Sequence, residues 1–199
     1  ITTVGNSITT NLWTTGQTTF LAWVNLGTVP SNEIVDDSGC GDYQLAAYET
    51  GADTTLFGGG TWISSPNPLS PNKWYMLAGT AIANSIEILY VDGMAVNSIT
   101  PSVPTVACPI SIGGFPSTSC YLCSKVDIAN VQIYNTALSA NEIQALYLEG
   151  IGGAPIDLQH LVAWWPLNGN ANDYSGNGNN GVPSNVVFVS NWWSGYTPP

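Results

Sequence analysis

A chain of 199 residues, 44% hydrophobic with eight tryptophans and nine tyrosines, has the length of one domain and ample core material, which excludes disorder by composition. Thirteen carboxylates stand against two basic residues, Lys73 and Lys125, for a formal net charge of -11. Such a surface repels nucleic-acid phosphate and anionic membrane, and no run of 18 apolar residues is present to span a bilayer.

Polarity is carried instead by Thr, Ser, Asn and Gln, which reads as an extracellular surface suited to cations, sugars or a protein partner. The opening at Ile1 is read as an ectodomain or as the product of removing a signal or anchor segment. Residues 1–19 are Thr-rich and hold no clean period, predicting a weak edge strand or an extended arm (1–17). Phe20–Leu26 alternates with period two and predicts a strand. Val29–Asp42 reads as a loop with an acidic cluster, Glu33, Asp36, Asp37 and Asp42. A strand follows at Tyr43–Tyr48, then a hairpin at Leu56–Ile63 around Gly58-Gly59-Gly60, then a proline-rich loop to Asn72. Lys73–Thr80 and Ser85–Val91 read as strands, and Asp92-Gly93 as a two-residue hairpin turn into Met94–Val96. Val106–Gly113 is crossed by Pro109, hence an edge or a bulge.

Lys125–Tyr134 is the strongest strand pattern, with Val126, Ile128, Asn130, Gln132 and Tyr134 on one face and Asp127, Ala129, Val131 and Ile133 on the other. The string Ser139-Ala-Asn-Glu142 is a capping box, and the stripe Ile143, Ala145, Leu146, Tyr147 with a stop at Gly150 predicts one helix at about 139–149. A linker at 151–158 leads to LVAWWPL (161–167), an apolar strand limited by Pro166, and then to an oxygen-rich turn, NGNANDYSGNGNNG (168–181). Val182–Val189 reads as a last strand and 191–199 as an aromatic tail. Many short strands, turn residues between them and one late helix give an all-β fold: one antiparallel sandwich of jelly-roll type over 1–199.

The strings FLAWVNL, KWYMLAGT, IEILYVDGMAV, ISIGG and DIANVQIYNTALSANEIQALY together resemble the laminin-G-like (concanavalin A-like) jelly-roll family over about residues 18–148. LVAWWPLNGNANDYSGNGNNG is similar to the stretch that usually opens such domains, yet here it comes near the end. Either the strands of 161–199 return to complete their own sandwich, or they are donated to a neighbouring subunit's sheet. The return is favoured, because without it the Trp23 and Val131 faces would be half covered.

The oxygen-rich turn is the first candidate site. The resemblance implies calcium in a similar loop, and Asp173, Asn177 and Asn179 with Asp127 are its candidate ligands, although calcium wants six to eight oxygens and this set has few carboxylates. The aromatics Trp165, Trp192, Trp193 and Tyr196 are candidates for stacking on sugar rings or on another subunit; of two adjacent tryptophans in a strand, one faces out. Cys40, Cys108, Cys120 and Cys123 form an even set consistent with disulfides in an oxidising compartment, with three pairings open. Glucanases of this fold use paired carboxylates on one strand; Glu87 stands alone and His160 has no nucleophile near it in sequence, so the chain does not read as an enzyme. The expected role is therefore an adhesion or structural protein of the cell surface, a subunit of a filament or pilus-like assembly whose partners are copies of itself. The alternative is a glycan-binding module with calcium.

Overall fold

A computed structural model describes residues 4–8, 16–26, 31–36, 44–49, 53–57, 62–100, 110–113, 126–183 and 186–189. Twelve strands and one helix are built from them: β1 (Val4–Ile8), β2 (Gln17–Leu26), β3 (Ser31–Asp36), β4 (Gln44–Glu49), β5 (Asp53–Phe57), β6 (Ile63–Ser64), β7 (Trp74–Ile82), β8 (Ile86–Val91), β9 (Met94–Ile99), β10 (Ile110–Ile112), β11 (Val126–Tyr134), α1 (Ala140–Glu149) and β12 (Leu161–Trp165). The strands form two antiparallel six-stranded sheets, ordered β1-β10-β3-β4-β5-β6 and β12-β11-β2-β7-β8-β9. This is the expected all-β sandwich. Among the described residues no helix is long and apolar enough to cross a membrane.

The alternating strands bury one face each between the sheets. Phe20, Ala22 and Val24 of β2, Leu77 of β7, Leu89 of β8, Ile34 and Leu45 of the facing sheet, and Val131, Ile133 and Trp165 meet in one core. The second sheet also buries its outer face. Leu21, Trp23, Met76, Ala78 and Tyr90 point there and are covered by Ile143 and Leu146 of α1 and by Ile151 of the following linker. That second layer explains why β2 and β7 read as nearly continuous apolar runs. Trp23 stacks on Tyr147 of the helix at 5.8 Å and 15°.

The helix forms where its caps predict. Ser139 Oγ accepts from the Glu142 N–H, and Glu142 Oε2 accepts from the Ser139 N–H at 2.7 Å. Gly150, at φ 77°, closes the other end with its N–H on the Tyr147 carbonyl. The Asp92-Gly93 turn has both residues at positive φ, 49° and 77°, as a tight hairpin requires. A Cβ on Gly93 would lie 2.9 Å from the Cβ of Tyr147, so glycine also admits the helix.

Three local expectations need correction. The stretch Val29–Asp42 holds a strand, β3, where a loop is expected from its acidic residues. A register irregularity between Glu33 and Val35 buries the consecutive Ile34 and Val35 together, so no clean alternation marks the strand. In β11 the faces exchange part-way. Asn130 sits at φ 49°, and a register shift separates Ala129 from Gln132. Val126 and Ile128 therefore face the inter-sheet core together with Val131 and Ile133, whereas Ala129 and Tyr134 face the helix side. An inserted bulge residue shifts the period by one, which strict alternation cannot reveal. Finally, the described residues of Val182–Val189 form no strand; Phe188 packs part-buried on the inter-sheet core instead.

β12 pairs with β11 of its own chain, with Val131 opposite Trp165, Gln132 opposite Trp164 and Ile133 opposite Ala163. Among the described residues the last strand in sequence is thus an outer strand of the helix-covered sheet.

Candidate functional site

The oxygen-rich turn lies along the free edge of β12. An edge strand exposes every second N–H and C=O to water. Here side chains meet them. The Val162 carbonyl accepts from Ser175 Oγ at 3.2 Å, Asn177 Nδ2 at 3.0 Å and Asn179 Nδ2 at 2.9 Å. The Leu161 carbonyl accepts from Asn177 Nδ2 at 2.8 Å. The Trp164 N–H donates to Asp173 Oδ1 at 2.9 Å, and its carbonyl accepts from the Tyr174 N–H at 2.8 Å. The turn does with amides and a carboxylate what a further strand would do with its backbone.

Asp173 is the hub. Its Oδ1 accepts from the backbone N–H groups of Trp164 and Ser175, and its Oδ2 from Ser175 Oγ and the Asn179 N–H, all between 2.8 and 2.9 Å. Gly169, Gly176 and Gly178, at φ 120°, 92° and 77°, give the chain the left-handed steps that bring these groups round.

Of the expected calcium ligands, the structure brings together Asp173, Asn177 and Asn179. Asp127 is not with them: on β11 it lies opposite Asn25 of β2, five positions before Gln132, the residue opposite Trp164, a separation of roughly 15 Å at about 3.3 Å per residue. The loop as built does not fit a calcium ion. Both oxygens of its one carboxylate are taken by four donors, and the Asn177 and Asn179 amides turn their NH₂ groups to the strand edge. A cation here would have to displace these bonds. Among the described residues no three of His, Cys, Asp and Glu converge.

Trp165, expected as an outward stacking surface, is 1% exposed between the sheets, its Nε1 donating to the Asn179 carbonyl at 2.9 Å. Trp164 takes the other face, as alternation demands, and its Nε1 donates to Asn130 Oδ1 at 2.8 Å. That oxygen also accepts from Gln132 Nε2, while Asn130 Nδ2 donates to the Gly153 carbonyl and the Tyr134 hydroxyl to Gln132 Oε1 at 2.6 Å. This buried chain ties the β11 bulge, β12 and the linker together. Burial holds the Tyr134 hydroxyl far above its usual pKa, so it acts as a neutral donor. Trp192, Trp193 and Tyr196, the four cysteines, and Asp37 and Asp42 of the acidic cluster lie outside the described residues. Glu87 is fully buried in β8, and its cross-strand neighbours are Ala81 and Ile99, so it faces no second carboxylate across the ladder.

One residue not singled out by sequence stands exposed where the two sheets meet. Trp62, immediately before β6, is 49% exposed. It lies at the rim where Asn97 Nδ2 of β9 donates to the Ser64 carbonyl of β6 at 2.9 Å. Its signal in the sequence is a large aromatic two residues after a glycine triplet.

A family model described as the concanavalin A-like lectin/glucanases superfamily matches residues 2–144. The chain belongs to this superfamily. The match stops short of β12, the strand that sequence order displaces. No curated protein matches the chain. Among solved structures, a candidate carbohydrate-binding protein from Bacteroides ovatus is similar with a TM-score of 0.69 at 18% identity, over 94% of this chain and 56% of that one. The heptameric SAP-like pentraxin of Limulus polyphemus gives a TM-score of 0.56 at 11% identity, over 78% of this chain and 76% of that one. Trypanosoma rangeli sialidase gives 0.53 at 23% identity, over 67% of this chain but 23% of the enzyme. At these identities the likenesses show the jelly-roll fold alone. The chain spans little more than half the length of the Bacteroides protein.

Proposed function

We propose that this chain is an extracellular, lectin-like module that binds neutral glycans. The observation that carries this reading is Trp62: a half-exposed indole on a rim beside Ser64 and Asn97, on a surface with only two basic residues. The C–H face of a sugar ring stacks on such an indole, and neighbouring neutral amides and carbonyls meet its hydroxyls. A charge of -11 disfavours acidic glycans. The superfamily and the candidate carbohydrate-binding protein among the similar structures support the same reading. Affinity electrophoresis in gels of neutral polysaccharides tests it. The expected result is retardation of the wild type and a loss of at least tenfold in apparent affinity for Trp62→Ala, with an unchanged melting temperature. Equal retardation of both proteins would remove Trp62 from the site.

A second reading, a self-associating subunit of a cell-surface filament or adhesin, draws support from Met94, Leu148, Leu158, Val182 and Val187, large apolar side chains more than half exposed on a nearly cation-free surface. Size-exclusion chromatography over a range of concentrations separates the two: a strict monomer that binds glycan leaves the first alone.

A further inference from the structure

All three Asn-Gly pairs of the chain, Asn168-Gly169, Asn177-Gly178 and Asn180-Gly181, lie in the oxygen-rich turn. At such a pair an asparagine loses its amide readily, because glycine has no Cβ to shield its N–H or to restrict the rotation that brings it onto the preceding side chain. The fold treats the three pairs differently. Asn180 is held at both ends of that reaction. Its Oδ1 accepts from the Asp173 N–H at 2.9 Å, and the Gly181 N–H, the attacking group, donates to the Ala171 carbonyl at 2.8 Å. Asn177 is held by its amide: Nδ2 donates to the carbonyls of Leu161 at 2.8 Å and Val162 at 3.0 Å, on the sealed edge of β12. A carboxylate in its place would face two carbonyl oxygens. Asn168 has no such hold. It and Gly169 are both exposed, and neither makes a hydrogen bond among the described residues. The space around Gly169, at φ 120°, is open: a Cβ added there would meet nothing within 4 Å.

We infer that Asn168-Gly169 is a site of spontaneous deamidation and isoaspartate formation, and that the hydrogen bonds of the turn exclude the other two pairs. Base removes the Gly169 N–H proton, and the nitrogen attacks Asn168 Cγ. The Cγ–Nδ2 bond breaks and ammonia leaves, which closes a succinimide ring. Water then opens the ring at one of its two carbonyls, giving aspartate or isoaspartate at position 168. Water is consumed, ammonia is released and no electrons are exchanged. Either product adds one negative charge to the -11 of the chain. The isoaspartate form also adds one backbone carbon between Leu167, buried in the inter-sheet core, and Asn170, whose amide bonds the Asn172 N–H and the Tyr174 hydroxyl. The seal on β12 begins beyond that point, at Asp173, so the modified chain keeps its edge closed. The isoaspartate presents a free α-carboxylate at an exposed position, the group that isoaspartyl O-methyltransferases recognise. The inference is independent of both functional readings above.

Peptide mapping by mass spectrometry tests this on the full chain aged in mildly alkaline buffer, once folded and once unfolded in guanidinium. Cleavage before Asp157 and Asp173 puts Asn168 in one peptide and the other two asparagines in the next, where fragmentation tells them apart. The same protease cuts before aspartate at position 168 but not before isoaspartate, which separates the two products. In the folded protein the expected conversion at Asn168 is about tenfold faster, or more, than at Asn177 or Asn180, since the held pairs react only through local opening. In the unfolded chain the three rates should converge to within about threefold, because no hydrogen bond then distinguishes them. Asn168→Gln should abolish methyl labelling of the aged, folded protein by an isoaspartyl O-methyltransferase. Three outcomes overturn the inference. Conversion of Asn177 or Asn180 as fast as Asn168 in the folded protein shows that the turn protects neither. An Asn168 that stays intact when folded but converts when unfolded is held by the fold as well. A preference for Asn168 that persists undiminished in guanidinium belongs to the neighbouring sequence and not to the structure.

Discussion

Asp173 decides the state of the oxygen-rich turn. Its carboxylate accepts four hydrogen bonds, three from backbone N–H groups and one from a hydroxyl. Removing it strands part-buried donors, each of which costs about 1–3 kcal/mol if left unmet, less where water enters. Asp173→Ala should therefore lower the unfolding free energy by about 3 kcal/mol in urea denaturation. Asp173→Asn should do nearly as much harm, because one oxygen becomes an NH₂ that faces N–H donors. The same geometry predicts that the melting midpoint in excess calcium equals that in a chelator; a rise of several degrees with calcium would restore a metal to the turn. The composition of this stretch announced turns and side-chain oxygens. It did not announce where they bond, because the acceptors and donors belong to the backbone of β12 some nine to seventeen residues earlier. In the same way Trp164-Trp165 showed that one indole faces out of the inter-sheet core, while register against β11 decides which.

Among the elements, β2, β7, β11 and α1 were legible because each carries its own signal: β-branched alternation, or caps with an apolar stripe. β3 and the β11 bulge were not, because each breaks its period at a register shift that only the partner strand defines. The helix offers a test whose sign is fixed by local chemistry. The Ser139 hydroxyl and its backbone N–H both donate to the Glu142 carboxylate and hold its pKa below the usual value. A lowered folded-state pKa contributes stability above the unfolded value, and this is lost as pH falls through the folded one. Asp92 runs the other way: burial raises its pKa despite the Met76 N–H and Lys73, so its cost at neutral pH is relieved by acid. The wild-type curve mixes the two, and a difference isolates the cap. Glu142→Ala should cost about 1 kcal/mol at pH 7. The gap between the two proteins in chemical denaturation should narrow below pH 4.5, the ordinary value for this carboxyl. A constant gap down to pH 3 would show that the cap acts without its charge.

For the molecule as a whole, the order of strands in space matters and their order in the chain does not. The segment resembling a domain opening lies after the helix, yet it takes an outer place beside β11, reached through a linker turned by Gly150 and Asp157 at positive φ. Three things depend on its arrival. Trp165 fills the inter-sheet core, Trp164 completes the buried chain through Asn130, Gln132 and Tyr134, and the turn behind it closes the sheet edge. Losing one buried tryptophan costs about 3–5 kcal/mol, and a whole domain is stable by only about 5–15 kcal/mol. A chain ending at residue 158 should therefore show no cooperative unfolding transition at 25 °C and should aggregate through the bare edge of β11. A synthetic peptide covering residues 159–183, added during refolding, should restore a cooperative melt at one-to-one stoichiometry, since the missing strand and its sealing turn come as a unit. If the shortened chain melted cooperatively near the intact midpoint, β12 would be an accessory to a sandwich already complete. If only longer pieces reaching Phe188 rescued it, the part-buried phenyl ring against the core would be the anchor that the strand depends on.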